Sequence, residues 1–315
     1  MHGSRAKAHL SREWWATTKL DSVVGVTLPD EVRAACADIA VNARSVSIDA
    51  DALLTLDPGP APELDRERHY LDGPADAVAD YFLTLDTINF GSGWFPDLRK
   101  RPQSSGYFTI AWALAERFRS TGAWTAAELR ALRTEEVAET LGQNRDSELM
   151  ALYAQALREL GRFLGDRRAL DVVRQSKGSA ATLARTLASG MAYFDDRGFY
   201  KRAQIVPSNL ALAGVAEFAD LDRLTIFADN LVPHVLRCEG VLTYSDGLAA
   251  LIDSGRLLRL GPQEREIRAC AVQACELISE RLGVPPREID HRLWTRGQQP
   301  EYKALPRHRC RCVYY

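Results

Sequence analysis

The sequence has little that would carry it to a membrane, a nucleic-acid backbone or one of the familiar phosphate-binding loops. No stretch approaches the roughly 18 consecutive apolar residues that cross a bilayer. The opening MHGSRAKAHLSREWW (1–15) lacks the apolar stretch and small-residue cleavage site of a secretory leader. An excess of one charge is also missing, since 40 Lys and Arg face 42 Asp and Glu for a net charge of −2. Domains that grip duplex nucleic acid neutralise many phosphates and are usually basic. Near-neutrality therefore points to a small ligand, with no stable nucleic-acid or membrane partner expected. There is no P-loop, no GxGxxG after a strand, no HExxH and no GxSxG, so the cofactors and metals those motifs bind have no support and none is expected. The six cysteines (36, 238, 270, 275, 310 and 312) lack the spacing of a disulfide scaffold. Four lie in apolar patterns where a free thiol behaves as a small hydrophobe. A reducing, cytoplasmic setting is expected. Cys310 and Cys312 form a CxC with no second ligand pair to complete a zinc site, and they read better as alternating positions of a strand.

What is present is an ordinary globular composition, 46% apolar and 26% charged, in 315 residues, enough for a substantial core. Helical patterns dominate. LPDEVRAACADIA (28–40) has an acidic first turn, and a second short helix is expected near 49–55, before a Pro- and Gly-containing loop at 56–67. Val78, Phe82 and Leu85 mark a helix over 74–88 that stops before Gly91-Ser92-Gly93. Residues 95–118 read as an irregular or hairpin stretch feeding a helix. Thr125 and Glu128 form a capping box for AAELRALRTEEVAETL, and further helices are expected over 148–164 and 179–194. After Gly261-Pro262, Ile267, Cys270, Ala271, Ala274 and Ile278 repeat on one helical face. Strands are expected only at GFYKRAQ (198–204) and RCRCVYY (309–315). The fold class is mostly α with minor β elements.

Three segments carry chemistry. In DRLTIFADNLVPHVLRCEG (222–240), Leu224, Phe227, Leu231 and Val235 form one helical stripe, and Ile226, Val232 and Leu236 extend it around the circumference. Asp229 then sits in a nearly all-round apolar helix, where a carboxylate is costly unless paired. Pro233 crowds the carbonyl four residues back, which belongs to Asp229, so the helix should break at the acid. The same pattern suits an acid that caps a helix junction or pairs with a structural arginine. In FYKRAQIVPSNLALAGVAEF (199–218), Lys201 precedes Arg202 at the start of an apolar helix. Burial would lower the pKa of such a lysine and a nearby carboxylate would keep it charged, although Lys-Arg at a helix start is commonly solvated. In YFLTLDTINFGSGW (81–94), Asp86 and Asn89 share a helix face, and Phe90 and Trp94 flank a glycine-rich stop. Carboxylate and amide groups read a purine edge and aromatic rings stack on its face, while a polar helix end with core aromatics looks the same. Glu264 and Arg268 are spaced as an i,i+4 pair of the kind found on solvated helix faces.

Taken in order, DTINF (86–90), SSGYFTI (104–110), FYKRAQ (199–204), FADNLVPHVLRCEGVLTYS (227–245), EREIRA (264–269), HRLW (291–294) and HRCRCVYY (308–315) resemble the queuosine salvage protein family, the queuosine 5′-phosphate N-glycosylases. The resemblance covers about residues 80–315. It implies hydrolysis of the N-glycosidic bond of queuosine 5′-monophosphate, with release of the 7-deazaguanine base queuine for tRNA modification. It also implies a single domain (1–315) of two helical lobes around a cleft, similar to the all-helical DNA glycosylases, with residues 1–70 as an N-terminal elaboration. The family's lysine and aspartate fall on Lys201 and Asp229, and the polar pair of its DTINF-like motif on Asp86 and Asn89. Phe90, Trp94, Tyr107, His234 and Arg268 are further candidate substrate contacts, and Arg202, His308 and Arg309 are candidates for the 5′-phosphate. The chain departs from the family pattern at Gly91-Ser92-Gly93 and at Asn230, Leu231 and His234. Rival readings are a nucleic-acid base glycosylase with Lys201 as an amine nucleophile, and a non-catalytic nucleoside-binding protein. LGVPP (282–286) is a poor match to the glycine-rich hairpin that such a glycosylase would use on DNA phosphates.

Overall fold

A computed structural model describes residues 25–315, so the leader reading on 1–15 and the first part of the N-terminal elaboration lie outside the described residues. Helices appear where capping chemistry and apolar spacing coincide. In α1 (Leu28–Val41) Thr27 and Asp30 close a capping box and Pro29 lies in the first turn. Asp49 caps α2 (Ala50–Thr55) through Ala52 N–H at 2.9 Å. After α3 (Ala75–Thr87), the stretch expected to be irregular or a hairpin is a single 3-10 turn, Phe95–Asp97, which leads to α4 (Gly106–Thr121). Thr125 and Glu128 form the expected capping box, but the helix they start is two, α5 (Ala126–Ala131) and α6 (Thr134–Thr140). At the break the Arg158 guanidinium donates to the Leu132 carbonyl at 2.7 Å, an acceptor a continuous helix would have used itself. The amphipathic α7 (Glu148–Leu164) packs on both. Next come α8 (Ala169–Gln175), α9 (Ala180–Gly190) with a 3-10 turn at Ala192–Phe194, and α10 (Lys201–Leu212). The C-terminal part holds α11 (Val232–Cys238), α12 (Asp246–Asp253), α13 (Pro262–Leu282), α14 (Pro286–Arg296) and α15 (Pro300–Lys303).

The long α13 buries Ile267, Cys270, Ala271, Ala274 and Ile278 as their spacing predicts, and it packs against α1, α2, α11 and α14. On the other side α10 packs on α9 and α3. One apolar cluster runs through the fold from Leu28 to Leu293. Among the described residues, no helix is long and apolar enough to cross a membrane.

Four expectations need correction. GFYKRAQ is not a strand: Tyr200 adopts φ 49°, ψ 41°, and α10 starts at Lys201. RCRCVYY is not a strand either, so Cys310 and Cys312 are not alternating strand positions, although all six cysteines are free thiols. The tail carbonyls have other donors: Leu258 N–H to Arg309 at 2.8 Å, the Arg202 guanidinium to Val313 at 2.6 Å and Gly91 N–H to Tyr315 at 2.9 Å. The strands lie elsewhere, β1 (Val46–Ile48) antiparallel to β2 (Leu242–Tyr244), with Ser47 opposite Thr243. Third, 222–240 is not one helix. Residues 224–231 are a buried non-helical stretch and only Val232–Cys238 is helical. A stretch enclosed on every side is apolar on every side, which imitates an all-round buried helix. Pro233 accordingly occupies the first turn of α11, where its missing N–H costs nothing. Fourth, Glu264 and Arg268 are not on a solvated face; both are buried and paired with each other at 3.3 Å.

Candidate active site

The ends of several elements converge on a cavity of about 370 Å³. Its wall includes α10 along most of its length (Lys201, Ile205, Asn209), the stretch before α11 (Phe227, Asp229, Asn230, Leu231), one face of α14 (Asp290, His291, Trp294) and Arg307. The segment Pro62–Asp65 with Arg68 and His69 closes another side, while α1 braces α13. Residues 25–70 therefore contribute both a brace and part of this wall.

Lys201 and Asp229 do meet at one site. Lys201 is 5% exposed, and its Nζ donates to the Asn89 carbonyl at 2.9 Å. Burial pushes its ammonium down to about 8, while Asp229 pulls the other way; Arg202 adds to the depression, and Asp86 and Asp290 oppose it. Asp229 is fixed by the chain that follows it, its Oδ1 accepting Leu231 N–H at 2.7 Å and Val232 N–H at 3.0 Å. The acid thus sits at a helix start, not at a break within a helix, with its second oxygen left for other partners.

Asp86 stands one rank behind the wall. It is fully buried, and burial raises it to about 7, against the hydrogen bonds from Asn209 and the charge of Lys201. The Asn209 amide bonds both its oxygens at 3.0 Å and the Asn89 amide approaches at 3.4 Å. Asn89 and Asn209 are the groups that line the cavity, and Asp86 orients them. Phe90, Tyr107, Phe108, Phe227 and Trp294 supply aromatic wall. The Tyr107 ring meets Trp294 edge-on at 5.3 Å, and its hydroxyl donates to His69 Nε2 at 3.0 Å. His69 Nδ1 in turn donates to the Asp65 carbonyl at 2.9 Å.

Several expected contacts lie off the wall. Trp94 donates to Glu148 at 2.8 Å. The Arg202 guanidinium is taken up by the carbonyls of Thr87, Tyr193 and Val313, beneath the Phe90 ring. His234 donates to the Tyr302 carbonyl at 2.8 Å. Arg268 pairs with Asp196 and Glu264 and donates to the Ala228 carbonyl at 2.8 Å, steadying the residue before Asp229. His308 is buried with neither ring nitrogen partnered, and Arg309 donates to Gly255. None of these six belongs to the cavity wall. The glycines after Phe90 have a packing role: Gly91 adopts φ 101°, and a Cβ on Gly93 would lie 2.4 Å from the Cys310 carbonyl oxygen of the docked tail.

Several wall residues escaped the sequence reading, among them Asp290, Asn209, Arg307 and Arg68. Asp290 accepts Phe227 N–H at 2.8 Å and is 3% exposed. Burial, reinforced by Asp229, holds its carboxyl well above the usual range. Its signal was available, because Pro286, Asp290 and Leu293 share the inward face of α14. Asn209 was visible as a second polar group, four residues past Ile205, on the helix that Lys201 opens. Arg307 faces Asp229, and burial and Arg309 both lower its pKa against that attraction. Arg68 lines the same wall, paired to Asp65 at 3.0 Å, its Nε buried without a partner. Neither arginine had a local pattern to mark it.

The features define a mostly helical protein whose aromatic-walled cavity sets a lysine among carboxyl groups, with Arg68 and Arg307 on the same wall. The family model described as queuosine salvage protein matches residues 69–315. The chain belongs to that family. It is 32% identical over 304 residues to a protein of Sphaerobacter thermophilus named queuosine 5′-phosphate N-glycosylase/hydrolase, covering 87% of this chain and 94% of the relative. It is 29% identical over 329 residues to the Bos taurus protein of the same name, covering 88% and 96%. The Mus musculus protein so named is 33% identical over 197 residues, 53% of this chain and 58% of the relative.

Proposed function

We propose that this protein hydrolyses the N-glycosidic bond of queuosine 5′-monophosphate and releases queuine. The observation that carries the reading is Asp229 and Lys201 together on the wall of an aromatic-lined cavity, in a chain of this family. Cleavage of the bond builds positive charge on the ribose, and a fixed carboxylate beside the anomeric carbon stabilises that charge and accepts the proton of the attacking water. Asp229 has this role, and Lys201 is its electrostatic partner. A 7-deazapurine has carbon in place of N7, so protonation there cannot help the base leave. The Asn89 and Asn209 amides hold its polar edge, oriented by Asp86, with the aromatic wall against its faces. Arg307 and Arg68 take the 5′-phosphate in place of Arg202, His308 and Arg309, whose positions off the wall do not favour them.

The finer architecture belongs to the same proposal: one domain of two helical lobes around this cleft, akin to the all-helical DNA glycosylases, working in the cytoplasm without a cofactor or a stable nucleic-acid partner. The test is to incubate the pure protein with queuosine 5′-monophosphate, queuosine and base-modified DNA and to assay base release. Release from the monophosphate is expected. Release from DNA alone would favour the glycosylase reading, and release from none with retained nucleoside binding would favour a binder.

A further inference from the structure

Asp290 is a polar wall group with no role in the scheme above. It is nearly sealed from solvent, with one oxygen fixed on Phe227 N–H, and no cation forms an ion pair with it among the described residues. A buried carboxyl without a counter-ion keeps its proton, and a neighbouring carboxylate strengthens that preference. Phe227 lies two residues before Asp229, so one short stretch of chain sets the placement of both acids. Trp294 follows Asp290 by four residues on the same helix and lines the same cavity. Asp290, Asp229 and Trp294 thus line one cavity, the space in which the bond between ribose and base would lie.

We propose that Asp290 is the general acid of the reaction, delivering its carboxyl proton to the base as the glycosidic bond breaks. This rests on the glycosidase reading above. The electron pair of the C–N bond passes to the glycosidic nitrogen, which takes the Asp290 proton and leaves as the neutral base. Water adds its oxygen to the anomeric carbon and its proton goes to Asp229. A proton transfer from Asp229 to Asp290 then restores the starting state. Two carboxyl groups in unlike surroundings divide acid and base work in this way. A base that cannot be protonated at N7 gains from such a donor at the glycosidic nitrogen.

The experiment compares two substrates, queuosine 5′-monophosphate and 4-nitrophenyl riboside 5-phosphate, whose leaving group departs as an anion without needing a proton. Asp290→Asn keeps the acceptor for Phe227 N–H but has no acid proton. Its kcat/KM on the nucleotide should fall about 100- to 10,000-fold, the usual worth of a general acid. On the nitrophenyl substrate it should stay within about fivefold of wild type, while Asp229→Asn loses activity on both. Equal loss on the two substrates by a folded Asp290→Asn protein, or near-normal nucleotide turnover, overturns the assignment. Its thermal transition reports folding; should Asp290→Asn not fold, Asp290→Glu must retain more nucleotide turnover than Asp290→Gln, and equal turnover refutes the role. A wild-type protein that releases no base from the nucleotide refutes the glycosidase reading itself, and the general-acid role falls with it.

Discussion

Replacing Lys201 by methionine removes a buried charge and little volume, and the consequence can be estimated. The ammonium faces Asp229, Asp86 and Asp290. No carboxylate lies within the 4.0 Å of a direct ion pair, among the described residues. Two unit charges about 5 Å apart at an effective dielectric of about 20 attract by about 3 kcal/mol. Losing that support for the Asp229 carboxylate corresponds to about a hundredfold fall in kcat/KM at neutral pH. The pH profile adds a second readout. Because Lys201 is held down to about 8, wild-type activity should decline as pH rises through that value and the ammonium is lost. Lys201→Met has no proton to lose, so this decline should be missing. Queuine release from queuosine 5′-monophosphate, followed between pH 6 and 9.5 by chromatography, gives both readouts, with thermal melting as the control for folding. A folded Lys201→Met protein with wild-type rates, or one with the same decline near pH 8, would refute the partnership of Lys201 and Asp229.

Other consequences are separable. Arg307→Gln should raise KM for the monophosphate by about 10- to 150-fold, the worth of about 1.5–3 kcal/mol in a charge-assisted contact, and leave turnover of unphosphorylated queuosine unchanged; steady-state kinetics on both substrates decide it. His308 is held down to about 3 by burial, so its contribution to stability is present above the unfolded value near 6.5 and is lost as pH falls toward 3. Between pH 7 and pH 5 the wild type should lose about 2 kcal/mol more stability than His308→Leu, as read from urea denaturation. Trp94→Phe gives up the bond to Glu148 and should cost about 1 kcal/mol in the same assay, with base release within twofold of wild type.

The parts of the molecule that could be read from sequence are those whose cause is local. Apolar spacing and first-turn residues located α1, α7 and the start of α13 to within a residue or so, because helix formation depends on neighbours three and four positions away. Asp229 stood out as a charge inside apolar sequence, whereas Lys201, beside Arg202, gained its place from the FYKRAQ motif. The unreadable parts depend on distant partners. Val46–Ile48 and Leu242–Tyr244 pair across about 200 residues, and three-residue strands are too short to show a period. Arg202 and Lys201 are adjacent in sequence, yet only the docking of Thr87, Tyr193 and Val313 carbonyls around Arg202 takes it away from the cavity. Asp290 could have been found from the inward face of α14, whereas Arg307 gains its place only through the path of the tail after α15. The irregular stretch 224–231 reads as helix in sequence because near-complete burial erases the periodicity that separates the two.

The most direct test of the account is a paired measurement on Asp229→Asn. Asparagine can still accept the Leu231 and Val232 N–H groups, so the local fold should persist. Queuosine 5′-monophosphate should bind within about tenfold of wild type by calorimetry, while single-turnover release of queuine falls by at least about a thousandfold, the loss expected for a group that acts on the transition state. Release at a near-normal rate, with binding intact, would contradict the central claim that Asp229 stabilises the developing ribosyl cation.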